Sequence, residues 1–197
     1  KNFEKLTNKQ KDRIQFDAGE AYIQIIDLLE KELGMHECIN LVSWVRTPDK
    51  PNPERRENSV QMSSYNYRPG QTIYDFLDET VARVGRFGGE PSKYLVFSFS
   101  THNVECTRID FVQPQKLSMD KYFPDSANTN YQLIGLLSHC GEDILSGHNL
   151  AYRLINDKWY YFNDIDVCEI GEDMIGKAYG FEVEDFETAY VAFYEQV

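Results

Sequence analysis

Cations are scarce in this chain. Its 197 residues carry 20 Lys and Arg against 32 Asp and Glu, a formal net charge of −12. That balance argues against a nucleic-acid groove and suits a neutral or basic protein partner. Long apolar runs are missing too: no stretch of eighteen apolar residues occurs, so no segment reads as a membrane span. Cysteine is sparse, with only Cys38, Cys106, Cys140 and Cys168, and no two form a Cys-x-x-Cys pair. A paired-thiol zinc site or redox pair is thereby excluded, and neither a metal nor a cofactor is expected. No signal peptide is visible, so the thiols are expected to be reduced in an intracellular protein. Repeats and low-complexity tracts are absent. The first methionine is Met35, which leads us to expect further chain upstream of Lys1.

What remains is an aromatic-rich composition of a length that suits one domain with a substantial core. Asp17 and Glu20 form a capping-box-like start, and Gly34 fits the residue after a helix end. Between them Tyr22, Ile25, Ile26, Leu29 and Leu33 make an apolar stripe at helical spacing, opposite Gln24, Asp27, Lys31 and Glu32. Ile39–Arg46 and Val60–Tyr67 read as strands around a polar loop, Thr47–Ser59, which holds three prolines. Thr72 caps a second helix, with Asp75 three residues on, Gly85 beyond its end, and Ile73, Phe76, Leu77, Val81 and Val84 as its buried stripe. Pro91–Ser100 and Arg108–Val112 are β-rich, Asp120–Asn130 is a loop, Gly171–Gly180 is helical or irregular, and Thr188–Glu195 is a final strand.

The chemistry concentrates after Tyr131. Asn149–Ile155 and Lys158–Phe162 read as strands joined at Asn156-Asp157, a residue pair suited to a tight hairpin turn. Antiparallel pairing then carries His148, at the start of one strand, to Asn163, at the end of the other. A histidine with an Asn or Asp beside it is the base-plus-orienter part of a nucleophilic triad. Gly147 would let the backbone come close to a thin substrate. A lone histidine before a strand is more often structural, and His36, His102 and His139 are read that way.

The run from Tyr131 to Asp164, closing with Ala189–Glu195, resembles the histidine box of the ubiquitin-specific proteases. His139, Gly141, Gly147, His148, Trp159, Phe162, Asn163, Asp164, Phe193 and Tyr194 all fit that box. The second box of the family, the glutamine box, is similar at Gln15, Asp17, Ala18 and Glu20, while Phe16 and Ala21 depart from it. The resemblance implies an α+β, papain-like cysteine peptidase fold with a mainly antiparallel palm sheet. It implies a division into a thumb remnant (1–34), reduced fingers (35–70) and palm (71–197). Catalysis would rest on His148 as base, Asn163 as orienter and Asp164 as an assisting carboxylate. The partner would be ubiquitin or a ubiquitin-like modifier, whose Gly-Gly tail threads a narrow channel.

The family's cysteine box, Gly-Asn-Thr-Cys at a buried helix start, has no counterpart. Only sixteen residues precede Asp17, and none is cysteine. None of the four cysteines has the glycine-rich helix start that lowers a thiol pKa and supplies oxyanion donors. Cys140 reads as lying across a loop from His148. Two expectations follow. In one, the chain is part of a deubiquitinase whose nucleophile lies on an upstream segment or partner. In the other it is an inactive scaffold or ubiquitin-binding module, a reading favoured by Asn149 where the family has an aromatic. Chance similarity of an unrelated α+β domain is a third, weaker alternative.

Overall fold

The computed structural model describes residues 18–33, 41–42, 56–57, 60–62, 72–84, 91–99, 115–143, 146–175 and 187–197. Helix α1 spans Ala18–Leu33 and helix α2 spans Ile73–Val84. Both begin and end where the caps and glycines predict. At α2 the Thr72 N–H and hydroxyl both donate to Asp75 Oδ2, at 2.7 and 2.8 Å, so the carboxylate satisfies an orphan donor of the first turn.

Ten strands are described: β1 Leu41–Val42, β2 Arg56–Glu57, β3 Val60–Met62, β4 Tyr94–Phe99, β5 Lys116–Ser118, β6 Asn130–Asp143, β7 Ser146–Ile155, β8 Lys158–Asn163, β9 Asp166–Ile170 and β10 Glu187–Gln196. Eight form one sheet in the order β3-β4-β10-β6-β7-β8-β9, with β5 on β6, while β1 and β2 pair by themselves. All pairings are antiparallel except β3 with β4.

The sheet is covered on both faces because its central strands alternate between two apolar sets. Leu95, Phe97 and Phe99 of β4 join Leu133, Leu136, Tyr152 and Tyr194 in the larger core, to which α2 adds Ile73, Phe76 and Leu77. Val96 points the other way, with Tyr190 and Val191. There α1 packs, its Tyr22 meeting Phe193 edge-on at 5.4 Å between ring centroids. The two helices therefore lie on opposite faces of the sheet. No helix among the described residues is long and apolar enough to cross a membrane.

Several sequence expectations need correction. Ile25 is exposed rather than buried in the α1 stripe, whereas its neighbour Ile26 is buried and Tyr22 packs against the sheet. The expected loop Thr47–Ser59 contains β2, which pairs with β1. Val60–Met62 does not pair with β1 but runs parallel to β4, so it extends the main sheet. Strand β9 was not expected at all. His36, His102, Cys38, Cys106, the Arg108–Val112 strand and the start of the glutamine box lie outside the described residues.

Candidate active site

The site is built on the β7–β8 hairpin. Asn156 and Asp157 both have positive φ, 49° and 61°, the left-handed pair that a two-residue hairpin turn needs. This turn fixes the register Leu154 to Trp159 and Ala151 to Phe162. The consequence at the far end of the hairpin is that His148 Nε2 lies 2.6 Å from Asn163 Oδ1. The amide oxygen only accepts, so Nε2 carries the proton that it donates. In the neutral ring the lone pair then sits on Nδ1, and a nucleophile's proton would be taken there.

Asp164 follows at φ 50°, where the chain turns into β9. Its Oδ2 stands 3.9 Å from His148 Nε2. That is beyond a hydrogen bond, but close enough to attract an imidazolium. Asp164 is 78% exposed and the His148 side chain 34%, so the attraction is largely solvent-screened. Asn163 is the stronger constraint on the ring and Asp164 the weaker one.

Behind His148 the backbone is tightly held. Gly147 has φ 145°, and a Cβ there would stand 2.4 Å from the Cys140 carbonyl oxygen and 2.5 Å from the His139 ring. Only glycine permits this approach of β7 to β6. His139 is buried in the sheet. On the next residue Tyr190 of β10 donates its hydroxyl to Asn149 Oδ1 at 3.3 Å. The position after Gly-His is thus tied to the last strand through a polar side chain.

The cysteines fall differently from expectation in one case. Cys140 and His148 are not merely on either side of a loop; they are direct cross-strand partners, at the end of the unbroken register that runs from Gly135 and Arg153. Cys140 is nevertheless 5% exposed and part of the main core, without the helix start that activates a thiol. Cys168 is exposed on β9, paired with Tyr161. Among the described residues no group of three or more His, Cys, Asp or Glu side chains could hold a metal ion.

The chain matches the family described as ubiquitin carboxyl-terminal hydrolase over residues 1–194. It is 35% identical over 71 residues to ubiquitin carboxyl-terminal hydrolase 3 of Mus musculus, covering 36% of this chain and 12% of the mouse protein. It is 28% identical over 138 residues to ubiquitin carboxyl-terminal hydrolase 14 of Arabidopsis thaliana, covering 66% of this chain and 17% of that protein. Among solved structures it is similar to a SAGA DUB module bound to monoubiquitin, with TM-score 0.62, 19% identity, and coverage of 93% of this chain and 49% of that one. The chain therefore spans at most 17% of these two curated relatives and about half of the solved chain. The architecture is the α+β, papain-like one with a mainly antiparallel palm sheet. On the match over residues 1–194, the chain belongs to the ubiquitin carboxyl-terminal hydrolase family.

Proposed function

We propose that this chain supplies the general base and its orienter for thiol-dependent cleavage after the C-terminal Gly-Gly of ubiquitin or a ubiquitin-like modifier. The observation that carries the proposal is the 2.6 Å contact between His148 Nε2 and Asn163 Oδ1. His148 Nδ1 takes the proton of a cysteine thiol, and the thiolate attacks the carbonyl carbon of the terminal glycine. The imidazolium, oriented by Asn163 and attracted by Asp164, then protonates the departing amine. A water molecule, deprotonated by the same nitrogen, hydrolyses the thioester. Gly147 keeps the backbone beside the base free of side-chain bulk.

In this proposal the nucleophile lies on a segment upstream of these residues. The burial of Cys140 and the placement of Cys168 on an edge strand support that assignment. The same reading divides the chain into a thumb remnant over 1–34, reduced fingers over 35–70 and a palm over 71–197, and places the protein inside the cell. The bond between Asn149 and Tyr190, where the family has an aromatic after Gly-His, favours a second reading as a non-catalytic ubiquitin-binding scaffold.

Turnover of ubiquitin carrying a C-terminal fluorogenic amide, by the full-length native polypeptide, tests the proposal. His148→Ala is expected to lower kcat by at least about 100-fold and Asn163→Ala by less. Ubiquitin binding without turnover would instead establish the scaffold reading.

A further inference from the structure

Strand β9 is an outer edge of the eight-stranded sheet. It pairs with β8, and among the described residues no strand lies against its other side. An edge strand offers outward N–H and C=O groups to any extended segment, and natural proteins often blunt it with lysine, proline or a bulge. Asp166–Ile170 holds neither lysine nor proline, and its register with β8 is unbroken. Four of its five residues are exposed, Val167 to 54%, and Ile165 just before it is 94% exposed.

The far end of this edge opens into a cavity of about 290 Å³. Leu154, Trp159 and Ile170 line it, and they form one cross-strand row through β7, β8 and β9. Trp159 is buried while Leu154 and Ile170 are half-buried, so this row contributes a narrow apolar strip to a cavity whose walls are otherwise polar. Asp157, Lys158, Glu169 and Glu172 are exposed around it. Lys158 is already engaged, its Nζ lying 3.0 and 2.8 Å from the two Glu169 carboxylate oxygens. Asp157 and Glu172 have no ion-pair partner among the described residues.

We propose that the β9 edge and this cavity together form a docking surface for an extended basic segment of a partner protein. The segment adds to β9 as a further strand, and a lysine or arginine side chain enters the cavity. Its stem lies on Leu154, Trp159 and Ile170, and its cation reaches Asp157 and Glu172. Charge selects this occupant. Asp166 and Glu169 of β9 and Glu172 and Asp173 just after it follow one another in sequence with no cation between them. A second copy of the same edge would repel it. The chain's own residues 181–187 carry four carboxylates and no cation, and so match it equally badly. Trp159 lies four residues along β8 from Asn163, about 13 Å away at strand rise, so the cavity is separate from the His148 pair, while the other end of β9 adjoins it, with Asp166 opposite Asn163. The surface does not depend on the hydrolase reading.

Fluorescence anisotropy of the 197-residue chain with a fluorescein-tagged pentapeptide of alternating lysine and valine tests the proposal. We expect saturable binding that weakens with salt, is absent for the glutamate–valine counterpart, and is lost when alternate backbone nitrogens of the peptide are methylated in one of the two registers. The double variant Asp157→Asn, Glu172→Gln removes two exposed charges without changing shape and should weaken binding about tenfold. No saturable binding, equal binding by the double variant, or indifference to methylation in both registers would overturn the proposal.

Discussion

At the scale of single residues, the candidate site rests on two constraints of different kinds. Asn163 holds His148 through a 2.6 Å side-chain contact, whereas Gly147 holds it through the backbone. The second is the more demanding. A methyl group at Gly147 would have to displace the Cys140 carbonyl oxygen, 2.4 Å away, at a φ of 145° that side chains rarely adopt. Gly147→Ala is therefore expected to destabilise the protein by about 1–3 kcal/mol and to move His148 away from Asn163. Chemical denaturation measures the first effect, and the NMR shift of the His148 ring nitrogens measures the second. Asn163→Ala should leave stability nearly unchanged and alter only the ring signals. A Gly147→Ala protein of unchanged stability would show that β7 can back away from His139.

At the scale of elements, the capping of α2 is a self-contained test. Thr72 donates twice to Asp75, so Thr72→Ala removes the hydroxyl bond while keeping the backbone one. The expected cost is about 1 kcal/mol, read as a lowered denaturant midpoint with an unchanged slope. Local signals of this type made much of the fold legible in the sequence. Both helices were marked by caps, glycines and apolar stripes, and the β7–β8 hairpin by its turn residues and alternation. That hairpin is what brings His148 to Asn163, which is why the pair could be anticipated from the sequence.

The elements that escaped the sequence are the ones decided by non-local pairing. Val60–Met62 joins β4 in parallel, a choice made by an available sheet edge rather than by its own three residues. Strand β9 is exposed along most of its length, so burial leaves no alternation in Asp166–Ile170 to detect. The pairing of Cys140 with His148 is the last of an unbroken register that begins at Gly135 and Arg153, a cross-strand match that neither strand's own residues specify.

At the scale of the whole molecule, the carboxylates set the response to acid. Hydrogen bonds from Thr72 hold Asp75 below the usual carboxylate value of 3.8. Bonds from Lys121 and then Tyr122 do the same for Asp78, and bonds from Thr129 and then Ser118 for Asp120. For each group the folded pKa is depressed, so the unfolded chain binds more protons between the folded value and 3.8. The stabilisation is fully present above pH 3.8 and is lost as pH falls through the folded values. All three carboxylates are exposed, so the effect of each is modest. Urea midpoints should fall modestly below about pH 4, and Asp78→Asn should reduce that fall. A fall unaffected by Asp78→Asn would mean that its bonds to Lys121 and Tyr122 do not persist in solution.

The proposal at the centre is that His148 and Asn163 serve a thiol nucleophile located on an upstream segment. Labelling native-source protein with ubiquitin that carries a C-terminal thiol-reactive group, followed by peptide mapping, tests it most directly. A label is expected on an upstream cysteine and none on Cys38, Cys106, Cys140 or Cys168, with labelling greatly slowed by His148→Ala. A label on any of those four cysteines, or no label on protein that still binds ubiquitin, would contradict it.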